Sequence, residues 1–321
     1  MASVSWTSAA SGDWTVGSNW DTGNEPGASD LVFISVAGSY TVSLTAAVTV
    51  ASITLGDTSA VLQIQDPGGD DVVTGNLDSS GSVGVDALGG GGSTLTVGGT
   101  LTNGNYLQVG NGGMTSAALL TVGGTVGNSG ASLTLEGGRT GATAQVAVAG
   151  AAPGTLTGTY SVVANAGGAW LQWGSGGITQ IGDGASNGGD LYIDGAAAFV
   201  EVGATNSDSA VDTLGTIAGN GLLDLRDAVT LASAGGLTVD GGDGRLKVDA
   251  YGGSGGSDVT IGGDLTNSSA GNYGDGGVSV GSSGITTSDT LTVDGTMSNT
   301  GVVDLIGGAA GATAQIMATG G

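Results

Sequence analysis

Carboxylates are the only abundant side chains in this sequence that could perform acid–base or metal chemistry. The chain has 321 residues, with 28 Asp and Glu, 4 Lys and Arg, and neither His nor Cys. This composition excludes histidine-based catalytic triads, cysteine nucleophiles, zinc sites built from Cys and His, and haem or iron–sulfur ligation by these residues. What remains is general acid–base catalysis by two converging carboxylates, or calcium binding by clustered ones.

Most of the aspartates lie in glycine-rich segments, where Asp usually forms turns. We predict this role for Asp66, Asp70, Asp71, Asp183, Asp190, Asp194 and Asp275. Only Glu136 and Glu201 fall in or beside predicted strands, and alternation with Val200 and Val202 should point Glu201 to solvent. We therefore predict that the chain is not an enzyme and assign no catalytic residue. Two or more carboxylates converging on one wall beside an arginine would favour a polysaccharide-processing enzyme instead.

Two acidic turns, residues 66–71 and 240–243, are candidates for calcium binding. Each places carboxylates beside glycines, and flexible oxygen-rich turns bind Ca²⁺ weakly. Neither turn has the ligand spacing of an EF-hand loop. We predict no resident cofactor or metal site, with weak Ca²⁺ binding at these turns as the alternative.

The charge balance limits the partners. The net charge is −24, and the basic residues are Arg139, Arg226, Arg245 and Lys247. Four cations cannot neutralise a nucleic-acid backbone, and the negative charge opposes contact with anionic membranes. No segment has the ~20 apolar residues of a membrane-spanning helix. We therefore predict neither nucleic-acid binding nor membrane insertion.

A short repeated phrase is the strongest signal in the sequence. Leu-Thr-Val-Gly-Gly-Thr-Leu-Thr-Asn starts at Leu95, and variants of it start at Leu120, Val259 and Leu291. Each copy alternates apolar and polar residues and then reaches glycine, which predicts a short strand that buries one face. The first two copies are 25 residues apart, the length of one β-solenoid coil. The residues expected to point inward are Leu95, Val97, Leu120, Val122, Val259, Ile261, Leu291 and Val293.

Each of the four copies ends in asparagine, at Asn103, Asn128, Asn267 and Asn299. Asparagine tolerates the left-handed backbone region, and its amide can bind the same amide one coil away. The pattern thus predicts a stacked asparagine ladder, while the simpler alternative is that each residue only favours a turn.

Tryptophans are concentrated at the start of the chain. Trp6, Trp14 and Trp20 lie within 15 residues, and an open solenoid end needs a cover over its core and its unpaired strand edges. We predict a cap in preference to an exposed sugar-binding platform. Trp170 and Trp173 are three positions apart, so in a strand one should face the core and the other the surface.

The opening segment also carries a wider pattern, comprising Trp6, Gly12, Asp13, Trp14, Asn19, Trp20, Pro26 and the run from Asp30 to Ile34. Together with the Leu-Thr-Val repeat, this pattern resembles the repeat-rich adhesin and autotransporter-passenger proteins of Gram-negative bacteria. The resemblance implies a secreted or surface-displayed right-handed parallel β-helix. The sequence differs from those proteins in two ways. No outer-membrane barrel pattern follows the repeats. The calcium nonapeptide of type I secretion is not intact either, since Leu246 stands where a ligand Asp is needed.

We therefore predict an all-β fold, a right-handed parallel β-helix (β-solenoid) of roughly a dozen coils. A Trp-rich cap and first strands should occupy residues 1–65, and coils residues 66–321. The copy that starts at Gly311 breaks off early compared with the copy at Gly141, so the last coil should expose an apolar cross-section.

The predicted function is that of an extracellular structural or adhesive segment, a rigid acidic stalk or scaffold at the bacterial cell surface. The alternative is a polysaccharide-processing or glycan-binding β-helix protein. Surface glycans or other copies of the same protein are the expected partners.

Overall fold

The structure, a computed structural model, describes residues 1–184, 188–269 and 277–320, which form two compact units. Unit 1 comprises residues 1–151 and 164–174, and unit 2 comprises residues 152–163 and 175–321. In the described ranges the only helices are three 3₁₀ turns, at Gly17–Asn19, Ser209–Val211 and Ala309–Gly311. The predicted all-β class is confirmed.

The strands are short, as the spacing of the glycines predicts. The first seventeen are β1 (Ser3–Ser5), β2 (Gly12–Asp13), β3 (Leu31–Ile34), β4 (Tyr40–Leu44), β5 (Thr49–Val50), β6 (Ser52–Leu55), β7 (Ala60–Ile64), β8 (Asp70–Val73), β9 (Leu77–Ser79), β10 (Ser82–Val85), β11 (Thr94–Val97), β12 (Leu101–Asn103), β13 (Tyr106–Val109), β14 (Ala118–Val122), β15 (Val126–Gly127), β16 (Ser132–Glu136) and β17 (Ala144–Ala151). The others are β18 (Thr155–Leu156), β19 (Gly158–Val163), β20 (Ala169–Ser175), β21 (Gln180–Ile181), β22 (Gly189–Asp194), β23 (Ala198–Val202), β24 (Thr216–Ile217), β25 (Leu222–Arg226), β26 (Thr230–Ser233), β27 (Leu237–Val239), β28 (Arg245–Val248), β29 (Asp258–Ile261), β30 (Leu265–Asn267), β31 (Gly277–Val280), β32 (Asp289–Val293), β33 (Met297–Asn299), β34 (Val303–Leu305) and β35 (Ala314–Ala318).

In both units, the successive strands of each coil contribute to different sheets, here called walls A, B and C. In unit 1 the strand orders are β1-β3-β6-β9-β12-β15 for wall A, β2-β4-β7-β10-β13-β16 for wall B and β5-β8-β11-β14-β17-β20 for wall C. In unit 2 they are β18-β21-β24-β27-β30-β33 for wall A, β19-β22-β25-β28-β31-β34 for wall B and β26-β29-β32-β35 for wall C. Each unit thus has about six coils, about twelve in all. The predicted parallel β-solenoid is confirmed, and its right hand stays a prediction that the resemblance implies.

The repeated apolar residues stack in register from coil to coil. Leu95 pairs with Leu120 in unit 1, and Val259 pairs with Leu291 in unit 2. All eight residues predicted to face inward are at most 1% exposed. Because each aliphatic side chain lies on its equivalent one coil away, the core is a set of continuous columns.

The tryptophan predictions agree with the structure. Trp6, Trp14 and Trp20 are buried, and Trp20 makes edge contacts with the other two rings, at centroid distances of 5.0 and 4.8 Å. The Trp20 indole Nε1 also donates a hydrogen bond to the Trp14 carbonyl. These rings form a packed cluster near the N-terminus and leave no exposed aromatic platform for a sugar. Trp173 is buried and Trp170 is partly exposed, as expected for opposite faces of one strand.

The asparagine ladder is also present. Asn103 donates from Nδ2 to Oδ1 of Asn128 at 2.6 Å, and Asn267 donates to Asn299 at 2.7 Å. The same Nδ2 groups donate to backbone carbonyls of the next coil, at Ser132 and Val302. Each ladder thus joins neighbouring coils through both an amide–amide and an amide–backbone hydrogen bond.

Apolar side chains of the last described coil are partly exposed. Leu305 pairs with Val280, but Leu305 is 48% exposed whereas Val280 is fully buried. Ile306 and Met317 of the same coil are 47% and 44% exposed.

Shortening Leu120 to alanine should lower the free energy of unfolding by about 2–5 kcal/mol, because the change leaves a cavity in an aliphatic column. The matched control is Val16→Ala, which removes an apolar side chain that is 45% exposed and should change stability by less than about 0.5 kcal/mol. Denaturant unfolding followed by circular dichroism measures both. Equal effects of the two substitutions would contradict the inward assignment of Leu120.

Candidate functional site

Charged and aromatic side chains gather on the outer face of wall B in unit 2. In β22, β25 and β28 alternate aliphatic residues point inward, and the positions between them, which include Leu222, point outward. The register places Tyr192 beside Asp224, Asp224 beside Lys247, and Asp194 beside Arg226. The surface formed by Asp190, Tyr192, Asp194, Asp224, Arg226, Arg245 and Lys247 is called the charged wall. It holds three of the four basic residues of the chain.

Arg226 is the most tightly held cation of the charged wall. Its Nε donates to Asp224 Oδ2 at 3.0 Å, and one of its terminal nitrogens donates to the same oxygen. Its guanidinium carbon also lies 5.8 Å from the ring centroids of both Tyr192 and Tyr251. The hydrogen bonds with Asp224 raise the pKa of Arg226, so the group is a fixed positive charge between two aromatic rings.

Lys247 is a buried cation of the charged wall. Its ammonium group donates to Ser279 Oγ at 2.9 Å and lies 5.4 Å from the Tyr251 ring centroid. Asp224 lies beside Lys247 on the adjacent strand β25 and is fully buried. This burial raises the pKa of the Asp224 carboxyl, and the charges of Arg226 and Lys247 oppose that shift. These two charges balance each other inside the wall and are not available to a ligand.

Asp190 and Arg245 form the accessible part of the charged wall. A terminal nitrogen of Arg245 lies 3.9 Å from Asp190 Oδ1, and the two side chains are 26% and 28% exposed. Nε of Arg245 is buried and has no acceptor among the described residues. Burial raises the pKa of Asp190, and the charge of Arg245 opposes that shift. The pair therefore offers a solvent-facing acceptor beside a donor.

A loop covers one side of the charged wall and carries Tyr251 at its tip. This Tyr251 loop, residues 250–256, is held by carboxylates from three neighbouring segments. Asp227 accepts from the Ser254 hydroxyl at 2.8 Å, and Asp289 accepts from the Gly256 N–H at 2.6 Å. The Ser257 N–H lies 3.2 Å from Asp249 Oδ2 and 3.3 Å from Asp289 Oδ1. The anchoring of the loop thus depends on three acidic side chains.

Asp249 and Asp289 are fully buried and meet at this one N–H. Two negative charges so close are unstable in a buried place, which favours the protonated form of Asp289. Burial, followed by the Asp249 carboxyl, raises the pKa of Asp289 to about 7. Burial and the charge of Asp227 similarly raise the pKa of Asp194 to about 6, against the effect of Arg226.

Unit 1 contains a loop, residues 87–92, that is held in the same way as the Tyr251 loop. Asp86 accepts from the N–H and the hydroxyl of Ser93, both at 2.8 Å, as Asp249 accepts from Ser257. Asp86 and Asp249 both have a positive φ, of 54° and 52°. The sequence signal is Asp-Ala, then Leu or Tyr, then glycines and a closing Ser, at residues 86–93 and 249–257. Sequence analysis missed this second repeat because its apolar residues do not alternate.

Several aspartates predicted to form turns lie in strands instead. Asp190 and Asp194 belong to β22, and Asp70 and Asp71 belong to β8. The turn prediction was wrong at these four positions because strands of adjacent coils pair with these segments and override the low β-propensity of Asp. Asp71 is buried and accepts from the Val48 N–H at 3.0 Å, and burial raises its pKa to about 6. Asp275 lies outside the described residues.

The prediction that Glu201 points to solvent was also wrong. Glu201 is only 2% exposed, because the loop after β23 folds over its carboxylate. The Thr205 and Asn206 N–H groups donate to Glu201 Oε2 at 2.8 and 2.7 Å. Glu136 ends β16 and accepts from the Asn165 side chain at 3.2 Å. Strand alternation fixes the direction of a side chain but not whether a loop covers it.

The two acidic turns form local hydrogen bonds. Asp240 accepts from the Gly241 N–H at 2.6 Å and from the Ser268 hydroxyl at 2.8 Å, and the Asp66 N–H donates to Ser93 Oγ. Within the described ranges, no group of three or more Asp and Glu residues has an arrangement that could hold a metal ion. Weak calcium binding at these turns stays a prediction. No helix in the described part of the chain is long and apolar enough to cross a membrane.

The raised pKa of Asp289 predicts a pH effect that Asp289→Asn should isolate. Asp289 keeps its proton up to about pH 7 in the folded protein, whereas a free aspartate loses it near pH 3.8. Between these values the folded state binds more protons, so stability should fall as the pH rises from 5 to 8. Asparagine has the size of the protonated carboxyl and carries no charge at either pH, so Asp289→Asn should be near neutral at pH 5 and stabilising at pH 8.

Denaturant unfolding of wild type and Asp289→Asn at both pH values measures this difference. Asp194 and Asp208 shift in the same direction, but they are present in both proteins and cancel in the comparison. An effect of Asp289→Asn that does not change with pH would contradict the raised pKa of Asp289.

Comparisons with known proteins identify no protein similar to this chain. No protein-family model, no curated protein and no solved structure gives a significant match to the chain. The β-solenoid repeat fold therefore rests on the structure, and the resemblance to bacterial adhesins and autotransporter passengers stays a prediction.

Proposed function

We propose that this chain is a rigid extracellular scaffold, an adhesive segment at a bacterial cell surface, that contacts glycans through the charged wall of unit 2. The observation that carries the proposal is the placement of three of the four basic residues on one wall, where two of them, Arg226 and Lys247, lie near tyrosine rings. In a chain with a net charge of −24, such a concentration of cations marks the surface as different from the rest.

The scaffold part of the proposal is supported by how the coils are held. Each unit stacks its coils by parallel pairing over buried aliphatic columns, with asparagine ladders at the turns. Stability in such repeat structures is a sum of contacts between neighbouring coils, so it needs neither disulfides nor a metal. A cysteine-free, strongly acidic solenoid suits a role as a spacer outside the cell, where it stays soluble.

The glycan part is supported by the accessible groups of the charged wall. Asp190 offers an acceptor, Arg245 offers donors, and the Tyr251 ring is 44% exposed. Sugar hydroxyls both donate and accept hydrogen bonds, and the C–H faces of sugar rings pack on aromatic rings. Including the loop anchors Asp227 and Asp249, five aspartates surround three cations, so a neutral glycan fits this site better than an acidic one.

Replacing Arg245 or Tyr251 with alanine should weaken glycan binding roughly tenfold, because each change removes a contact worth about 1.4 kcal/mol. The measurement is binding of labelled protein to an array that includes neutral oligosaccharides and polyuronates, followed by titration of the glycans that score. Arg139→Ala is the matched control, since it removes an exposed arginine from unit 1.

Binding that is unchanged in the Arg245 and Tyr251 variants would place the contact elsewhere on the chain. Absence of wild-type binding to any glycan on the array would contradict the adhesive proposal and leave the scaffold role alone.

A polysaccharide-processing enzyme is the second candidate. The observation that favours it is that Asp194 and Asp224 are diagonal neighbours on adjacent strands beside Arg226, the arrangement that would indicate hydrolysis. The pKa of Asp194, about 6, suits a proton donor near neutral pH. Against it, Asp224 is fully buried and hydrogen-bonded to Arg226, so it is poorly placed to reach a substrate.

If the chain hydrolyses polysaccharides, Asp194→Asn should abolish the release of reducing ends, because asparagine cannot donate the proton. Neutral polysaccharides and polygalacturonate are the substrates to incubate, with Asp183→Asn as the control. Wild-type protein that releases no reducing ends from any of them would exclude this second candidate for these substrates.

A further inference from the structure

Wall C of unit 1 begins one coil later than walls A and B. The first coil supplies β1 to wall A and β2 to wall B, but the strand order of wall C ends at β5, in the second coil. Between β2 and β3, residues 14–30 carry Trp14 and Trp20 and contain no strand. β5 is therefore an edge strand, with β8 on one side and no strand of the described chain on the other.

The free edge of β5 presents the backbone of Thr49. On the paired side, the Val48 carbonyl accepts from the Val72 N–H at 2.8 Å. The Val50 carbonyl accepts from the Thr74 N–H at 2.9 Å. Because the backbone groups of alternate residues face opposite sides of a strand, the N–H and the C=O of Thr49 face away from β8, and neither bonds to another described residue. Thr49 is exposed, and an accessible unpaired edge is a template for pairing with another chain.

A turn in the first coil leaves a cleft along this edge. The Ala51 N–H still donates to the carbonyl of Asp30 at 2.9 Å, as expected where two coils stack. Before Asp30 the chain turns back, because the Asp30 N–H donates to the Gly27 carbonyl and the Gly27 N–H donates to Asp30 Oδ2, both at 2.9 Å. A cleft of about 540 Å³ separates residues 25–28 from residues 46–49. It lies where a wall C strand of the first coil would lie.

The lining of the cleft permits another backbone to approach Thr49. Pro26 has no N–H and cannot complete the ladder itself. Asp13 fixes one end of the cleft, since it accepts from the hydroxyls of Thr15 and Thr45, both at 2.6 Å. Four of the other lining residues have no side chain beyond Cβ, namely Gly27, Ala28, Ala46 and Ala47.

The surroundings of the cleft are acidic. Glu25 lines the cleft and is exposed. Hydrogen bonds from the N–H groups of Gly27 and Ala2 lower the pKa of Asp30, so the carboxylate of the adjacent turn is ionised. The first Lys or Arg in the sequence is Arg139, so none of the preceding side chains supplies a basic group to balance these carboxylates. A partner that carries cations is therefore complementary to the cleft.

We propose that this cleft binds an extended, basic segment of a partner protein as an additional strand of wall C. The backbone of the segment donates to the Thr49 carbonyl and accepts from the Thr49 N–H, and its Lys or Arg side chains contact Glu25 and the neighbouring carboxylates. Backbone pairing supplies affinity for an extended chain, and charge selects which chain. The cleft belongs to unit 1 and shares no residue with the charged wall, so the proposal is independent of glycan binding.

The pentapeptide Lys-Val-Lys-Val-Lys, labelled with fluorescein, is a probe that presents lysines on one face of a strand and valines on the other. Fluorescence anisotropy measures its Kd. Replacing the three lysines with glutamates, or methylating the backbone nitrogens, should each weaken binding at least about tenfold. Amide exchange followed by NMR gives a local readout, because the bound probe should slow exchange of the Thr49 N–H at least about tenfold.

Substitutions in the cleft test the same contacts from the protein side. Thr49→Pro removes the free N–H, and proline is tolerated on an edge strand where that N–H faces away from the ladder. Ala28→Phe fills the cleft from an exposed position. Each should weaken probe binding at least about tenfold, and Glu25→Lys should weaken it several-fold. The matched control for charge is Asp294→Lys, an exposed position of unit 2, which should change the Kd by less than about twofold.

Circular dichroism checks that each variant folds, and Ala28→Phe keeps the test decisive if Thr49→Pro does not. No binding of the probe to the wild type, equal binding of the methylated peptide, or unchanged exchange of the Thr49 N–H would overturn the proposal. Equal losses in Glu25→Lys and Asp294→Lys would also overturn it, because they would show a general attraction of the peptide to an acidic protein.

Discussion

The in-register stacking of each coil on the next is the constraint on which this structure depends. Leu95 on Leu120 and Val259 on Leu291 show how apolar residues one coil apart bury the same face. The pairing satisfies the backbone hydrogen bonds along each wall, and the columns supply the apolar burial, so neither is sufficient alone. The Asn103–Asn128 hydrogen bond likewise joins equivalent residues one coil apart, here with polar side chains.

The same register also determines the outer surface. Because each residue lies beside its equivalent on neighbouring coils, Asp224, Lys247 and Ser279 form one continuous row on wall B of unit 2. In a chain with four basic residues, this alignment lets three of them meet several carboxylates. The burial that follows raises the pKa values of Asp190, Asp194 and Asp224 and gives acidic groups unequal proton affinities.

Loops between the strands convert a regular wall into two different surfaces. The loop held by Asp86 and the loop held by Asp249 are built alike, yet one extends Leu88 over an uncharged groove and the other extends Tyr251 over cations. The outward residues of the two walls differ, among them Gly84 in one coil and Lys247 in the other. In such a fold, outward positions can change chemistry while the inward columns keep the coils in place.

The sequence by itself determined the fold class, the parallel coils, the inward residues, the tryptophan cluster and the asparagine ladder. These features follow from local alternation and from repetition, both of which a linear sequence displays. Only the tertiary structure decided that Asp190 and Asp194 lie in a strand, that a loop buries Glu201, and that Asp249 and Asp289 meet at one N–H. Those outcomes depend on which coil neighbours which and on how a loop folds back. Asp249 and Asp289 are 40 positions apart in the chain and accept from the same N–H only because stacking brings them together.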